Sequence, residues 1–211
     1  FLLRDALVSD LGRVRDALVA RGHLSAVVSG VEVAVTRTPP SIAVTIHADP
    51  GPLSTVGRVG VIVNGENSTP PRALTIETGA PLNPSQIALD QATLLQPWYD
   101  KGYSASTART RCLTEEAEVA CGGWQPPEAC TQSLDWDNDD VCQRFPVVGG
   151  ERYQCVLLRS DATCQRPADV AVGELAIEHT LTTGEPRVFG DVFLLGQFQT
   201  QESALREEVR F

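Results

Sequence analysis

The chain has 211 residues, a formal net charge of −10 and an apolar fraction of 42%. That length allows one large domain or two to three small ones, with enough apolar residues to bury their cores. The acidic balance argues against nucleic acid and against an anionic lipid surface as partner, and no apolar run approaches the roughly 18–20 residues of a membrane helix.

Residues 1–21 predict an amphipathic helix, because Leu3, Leu7, Leu11, Val14 and Leu18 form one apolar stripe. Gly22 closes it, as glycine often does where a helix ends in a left-handed conformation. "LSAVVSGVEVAV" and "SIAVTIHA" follow as two strands around the turn "TRTPP". Val59–Val63 predicts a third strand, ended by Asn64-Gly65. A short helix is expected over 70–77. A longer one should start at Asn83-Pro84, carry Ile87 and Trp98 on its buried side, bend at Pro97 and stop at Lys101-Gly102. "SASTARTR" is then a strand.

Residues 113–165 differ from their surroundings. They hold five of the six cysteines and two of the three tryptophans, with ten acidic against three basic residues. No helical or strand stripe is sustained there, so this is expected to be an insertion stapled by disulfides. The cysteines are Cys112, Cys121, Cys130, Cys142, Cys155 and Cys164, with no CxxC pair and no histidine in the cluster. That spacing disfavours zinc and favours disulfides in an oxidising compartment. A Cys112–Cys164 bridge is expected to close the neck of the insertion. Regular structure resumes with the strand "DVAVGELAIEHTL". The tail "QTQESALREEVRF" reads as the start of a helix, and with no initiator Met or signal peptide the chain is expected to be a processed protein or a fragment.

An internal repeat links these elements. "LVARGHLSAVV" and "WYDKGYSAS" share a helix, glycine and strand grammar, and "GPLSTVGRV" matches "GEPRVFGDV". Gly22 and Gly51 are 29 residues apart, Gly102 and Gly184 are 82 apart, and the difference of 53 is the length of 113–165. The repeated unit is β-α-α-β-β, and its crossover allows the strands before and after the helix pair to lie parallel within one small sheet.

This unit, the helix ending "KGY" and the Gly…Gly-x-Val pattern resemble POTRA (polypeptide-transport-associated) domains, above all those of BamA/TamA-like outer-membrane barrel-assembly proteins. The resemblance covers 1–112 and 166–211. His23 in place of the family's tyrosine and the Cys-rich insertion depart from it. It implies an α+β fold of tandem POTRA modules, each a three-stranded mixed sheet covered by two helices. Residues 1–53 would be the last helix and two strands of one module, 54–183 a complete module carrying the insertion, and 184–211 the start of a third. It implies a periplasmic, non-enzymatic part of an outer-membrane protein, with a C-terminal barrel outside this chain. The implied partners are unfolded β-barrel clients and periplasmic or membrane proteins, with no cofactor.

Clients would add a strand to the edge Ser104, Ala105, Ser106, Thr107, Ala108, Arg109, Thr110 and Arg111. The competing expectation is that Arg109 and Arg111 only blunt that edge against aggregation. Two further readings stay open: a secreted Cys-rich binding module linked to calcium, and a periplasmic POTRA-bearing scaffold. "DWDNDD", 135–140, begins like a calcium loop but has Asp140 where glycine belongs and Pro146 where glutamate belongs, so it reads as a solvated acidic loop, with calcium the alternative. Trp124 and Trp136 read either as exposed binding residues or as the small core of the insertion. Tyr103 is expected to pack, and His47 and His179 to lie outside any catalytic set.

Overall fold

A computed structural model describes residues 4–70, 72–166 and 173–187. The predicted residue Leu3, the helix expected to start in "QTQESALREEVRF", and all but the first four of 184–211 lie outside these. The chain begins with helix α1, Arg4–Val19, followed by the hairpin β1, Val27–Arg37, and β2, Pro40–Asp49. Strand β3, Ser54–Val63, carries a short return strand β4, Glu66–Ser68. Helix α2, Pro84–Tyr99, crosses to β5, Thr107–Leu113, which turns back into β6, Glu118–Val119. A second hairpin joins β7, Cys142–Val147, to β8, Gly150–Val156, and β9 is Gly173–Thr182.

The strands form two sheets. The first has the order β2-β1-β8-β7 and is antiparallel throughout. The second has the order β4-β3-β9-β5-β6, with β3 and β9 parallel and β9 and β5 antiparallel. The predicted three-stranded mixed sheet is its centre, β3-β9-β5. The strands before and after the helix, β3 and β5, are not parallel as expected: β9 takes the place between them and runs parallel to β3 and antiparallel to β5.

Each sheet buries one face. Leu7 and Leu11, one helical turn apart, bring α1 onto Val31 and Val33 of β1, and Leu134, Val141 and Leu157 complete that core. In the second sheet, Ile87 and Leu94 of α2 pack over Val56, Leu175, Ile177 and Leu181. Burying one such aliphatic side chain stabilises by about 1.5–3 kcal/mol. Asn83 caps α2 by accepting the Ser85 N–H, and Pro97 is accommodated two residues before the helix ends.

Four further expectations need correction. The helix expected over 70–77 is absent from 72–77, which are irregular. The carboxylate of the fully buried Asp90 accepts the Thr75 N–H, the Ile76 N–H and the Thr75 hydroxyl, so those donors do not enter a helical ladder. The second sheet is therefore covered by one helix and a pinned loop, not by two helices.

The strand expected over 104–111 starts at Thr107; Ser104, Ala105 and Ser106 form the turn before it. The Ser106 N–H is held by Tyr103 O and the Ser106 carbonyl accepts the Tyr99 hydroxyl, which ties Ser106 into that turn.

The bridges are Cys112–Cys121, Cys130–Cys164 and Cys142–Cys155, so the expected Cys112–Cys164 pair does not form. The tight β5–β6 turn brings Cys121 to a Cα spacing of 5.3 Å from Cys112. Cys112 itself stands opposite Ile177, well inside β9, and not opposite the segment that precedes that strand.

Finally, the insertion is not an appendage of the second sheet. Its β7–β8 hairpin crosses to the first sheet and pairs with β1 from Gly30↔Val156 to Thr36↔Gly150. Further contacts seal the crossing. The Trp124 N–H donates to Ser25 Oγ, and the Arg166 guanidinium donates to the Ser25 carbonyl and to Asp49. Trp136 packs against the first core and meets Tyr153 edge to face.

Candidate functional site

Both helices end in the same way. After α1, Arg21 N–H and His23 N–H donate to Leu18 O, Gly22 N–H to Val19 O, and Ala26 N–H to His23 O. After α2 the same four bonds recur 80 residues later, on Lys101, Tyr103, Gly102 and Ser106. Gly22 and Gly102 hold φ of +90° and +88°, a region that favours glycine. Each also receives a later segment at van der Waals limits. The Gly22 carbonyl accepts Ser54 N–H and the Gly102 carbonyl accepts Arg187 N–H. A Cβ at either glycine would stand 2.7 Å or 2.6 Å from the carbonyl oxygen of Ser54 or Arg187.

The strands follow suit. β1 and β5 start 80 residues apart, β2 and β9 start 133 apart, and their first pairs, Val27↔Asp49 and Thr107↔Thr182, correspond. The added 53 is the insertion. Thus β1 and β5 are equivalent strands with equivalent outer edges.

The direction of each backbone group follows from local geometry. Cys142 and Cys155 are directly opposite with a Cα spacing of 4.0 Å, the close spacing of a non-hydrogen-bonded pair. The Cys155 N–H and C=O therefore face β1, where they meet Val31, and Val33 faces Tyr153 in the same way. On β5, the Thr114 N–H bond to Ala117 O shows that Thr114 faces outward, and alternation makes Cys112, Thr110 and Ala108 face outward too. Cys112 is engaged by Val119 of β6. Among the described residues, the backbone N–H and C=O of Ala108 and Thr110 have no partner on that side. The open edge is short and its ends are fixed, by the Ser106 turn and by β6.

The faces differ in character. Ala108 and Thr110 turn their side chains toward α2: Ala108 packs with Leu94 and Leu181, and Thr110 Oγ1 contacts Gln91 Nε2 and His179 Nδ1, each at 2.8 Å. Arg109 and Arg111 lie on the solvent face. Glu118 Oε2 accepts Arg111 Nε at 2.8 Å, its other oxygen reaches Arg109 at 3.5 Å, and Glu178 lies 3.7 Å from Arg111. Both arginines are thus partly neutralised by neighbours in the sheet.

His179 is fully buried, and its Nε2 has no hydrogen-bond partner among the described residues. Burial pushes its pKa below the ordinary histidine value, against a weaker upward pull from the Asp90 carboxylate. The other histidines differ. His47 lies on the surface 3.5 Å from Glu32, and His23 Nδ1 contacts the Gly51 carbonyl. In the 135–140 loop, Asp135 and Asn138 accept backbone N–H groups of Asp137 and Asp140, an arrangement of Asx turns. No group of three or more His, Cys, Asp or Glu converges among the described residues. No helix among them is long and apolar enough to cross a membrane.

Sequence reasoning missed Glu118, Gln91 and Asp90. Glu118 sits in the acidic run "TEEAEVA", where nothing separates it from Glu115 and Glu116. An acid in the middle of the α2 stripe was the available signal for Asp90.

The chain is similar in fold to the crystal structure of Haemophilus influenzae BamA POTRA3-5, at 15% identity and a TM-score of 0.44 over 97% of this chain and 61% of that one. It therefore spans less than two thirds of that structure's length. No protein-family model matches the sequence, and no curated protein matches it.

Proposed function

We propose that this chain is a periplasmic protein-binding module of an outer-membrane protein that assembles or translocates β-barrel proteins. It holds extended clients by strand addition at Thr107–Arg111 of β5. The POTRA-like order of helix, glycine and strands supports the family reading, and the six paired cysteines agree with an oxidising compartment.

The observation that carries the mode of binding is internal. The equivalent edge on β1 is occupied by an added antiparallel strand, β8, over Gly30–Thr36. An edge of this kind accepts a strand through main-chain hydrogen bonds, which need no particular client sequence.

Ala108→Pro tests this reading. It removes an outward N–H, which no described residue uses, and so should leave the fold intact. Photo-cross-linking from position 109 to an unfolded outer-membrane barrel protein should drop to background in the variant. Undiminished cross-linking with an unchanged melting curve would rule out strand addition at β5.

A further inference from the structure

Resting on that reading, we infer that the strand received by β5 runs antiparallel to it and alternates apolar with acidic residues. The acids face Arg109 and Arg111, and the apolar residues stand opposite Ala108 and Thr110.

Two strands already lying on these edges serve as templates. Both β8 on β1 and β6 on β5 are antiparallel to their hosts. Both turn apolar side chains to the helix-covered face, Tyr153 and Cys155 in one case and Val119 in the other. Both also place a complementary charge on the solvent face. Arg152 of β8 pairs with Glu32 of β1, and Glu118 of β6 pairs with Arg111 and Arg109 of β5. The sign follows the host strand: an acidic host carries a basic guest and a basic host carries an acidic guest.

The register extends the rule to the open stretch. Since Ala108 and Thr110 face outward, a guest residue opposite either of them forms a hydrogen-bonded pair. Residues opposite Arg109 and Arg111 form non-hydrogen-bonded pairs, where side chains approach most closely, with Cα atoms about 4.5 Å apart. Arg109 is the freer of the two, its side chain 78% exposed and its Glu118 contact long at 3.5 Å. A guest acid beyond Val119 would continue the line of charge that Glu118 begins. Ala108 itself packs against Leu94 and Leu181 on the helix-covered face, which favours an apolar guest residue opposite it.

The test uses the full chain and labelled six-residue peptides alternating valine with glutamate or valine with lysine. A third peptide has the glutamate pattern, with proline at the positions opposite Ala108 and Thr110. At low salt the glutamate peptide should bind about tenfold more tightly than the lysine peptide, the combined effect of two opposite-charge cross-strand pairs. Arg109→Glu with Arg111→Glu should reverse that order, and Glu118→Gln should sharpen it by freeing Arg109 and leaving Arg111 only its longer contact with Glu178. Equal binding of the two charged peptides, with the proline peptide inactive, would overturn the charge rule and leave the edge as the site. Equal binding of the proline peptide, or no binding of any peptide, would overturn the edge reading and this inference with it.

Discussion

The outer edges of β1 and β5 are the same piece of structure in two conditions. Each follows a helix that ends on a left-handed glycine, and each is the strand from which a module's sheet would continue to grow. On β1 the edge is filled by β8, and Val31 and Val33 are buried beneath the joint. On β5 the covering strand stops after Glu118 and Val119, and no described strand covers Ala108 and Thr110. The 53 residues between β5 and β9 therefore do two things. They trim the edge of their own sheet to one short stretch, and they complete the neighbouring sheet. An edge closed by its own chain contributes to folding; an edge left open is available for recognition or aggregation. The arginines of β5 fit both outcomes. Their charge deters indiscriminate pairing and, in the proposed reading, selects an acidic guest.

Proline substitution separates the two edges most sharply. Val33→Pro removes an N–H that faces Tyr153 and leaves a buried carbonyl unpaired, so stability should fall by on the order of 3 kcal/mol. Ala108→Pro should change it by less than about 1 kcal/mol. Equal losses in urea titrations of the two variants would show that β5 is not open.

The disulfides come next. Cys142→Ser with Cys155→Ser should cost about 2–3 kcal/mol and release amide exchange protection in β1. Cys112→Ser with Cys121→Ser, which frees β6, should cost a similar amount. It should raise client cross-linking, because the open edge gains the Cys112 position.

The equivalence of the two helix ends predicts matched effects. Gly22→Ala and Gly102→Ala should each destabilise by about 1–3 kcal/mol, since both residues combine positive φ with a backbone oxygen at the Cβ site. A loss at only one of them in thermal denaturation would break the equivalence.

Acid should produce the mildest difference. His179 is neutral and buried, so its folded pKa lies below its unfolded value of about 6.5. The unfolded chain then binds the extra proton first. The contribution of His179 is complete above that value and is lost as pH falls below it toward the depressed folded pKa. The equivalent position in β2 is Ile46, which does not titrate. Mild acid should therefore loosen the β5–β9 pair before the β1–β2 pair in hydrogen exchange, and His179→Gln should remove the difference.

Local signals were well legible in the sequence. The Leu7–Leu11 stripe, the Asn83 cap, the Gly22 and Gly102 stops and the alternation in β9 all act within a few residues, so periodicity and capping chemistry reveal them. The repeat and the length of the interruption were legible for the same reason, because equivalent local geometry demands equivalent glycines. The hairpin 142–156 was not. "CQRFPV" and "GERYQCV" show half a strand pattern each, because one face and one edge of that hairpin meet solvent. Nor did the irregular course of 72–77 show itself, since a carboxylate from α2 fixes it across a gap of more than ten residues.

The sequence by itself determined helices α1 and α2, their glycine stops, the alternation of β9 and the cysteine-rich character of the insertion. Tertiary structure alone decided which cysteines pair, which sheet the hairpin joins and which of two equal edges stays open. Those outcomes depend on which unpaired backbone groups and apolar faces come within reach once both sheets have formed, and spacing along the chain does not encode that proximity.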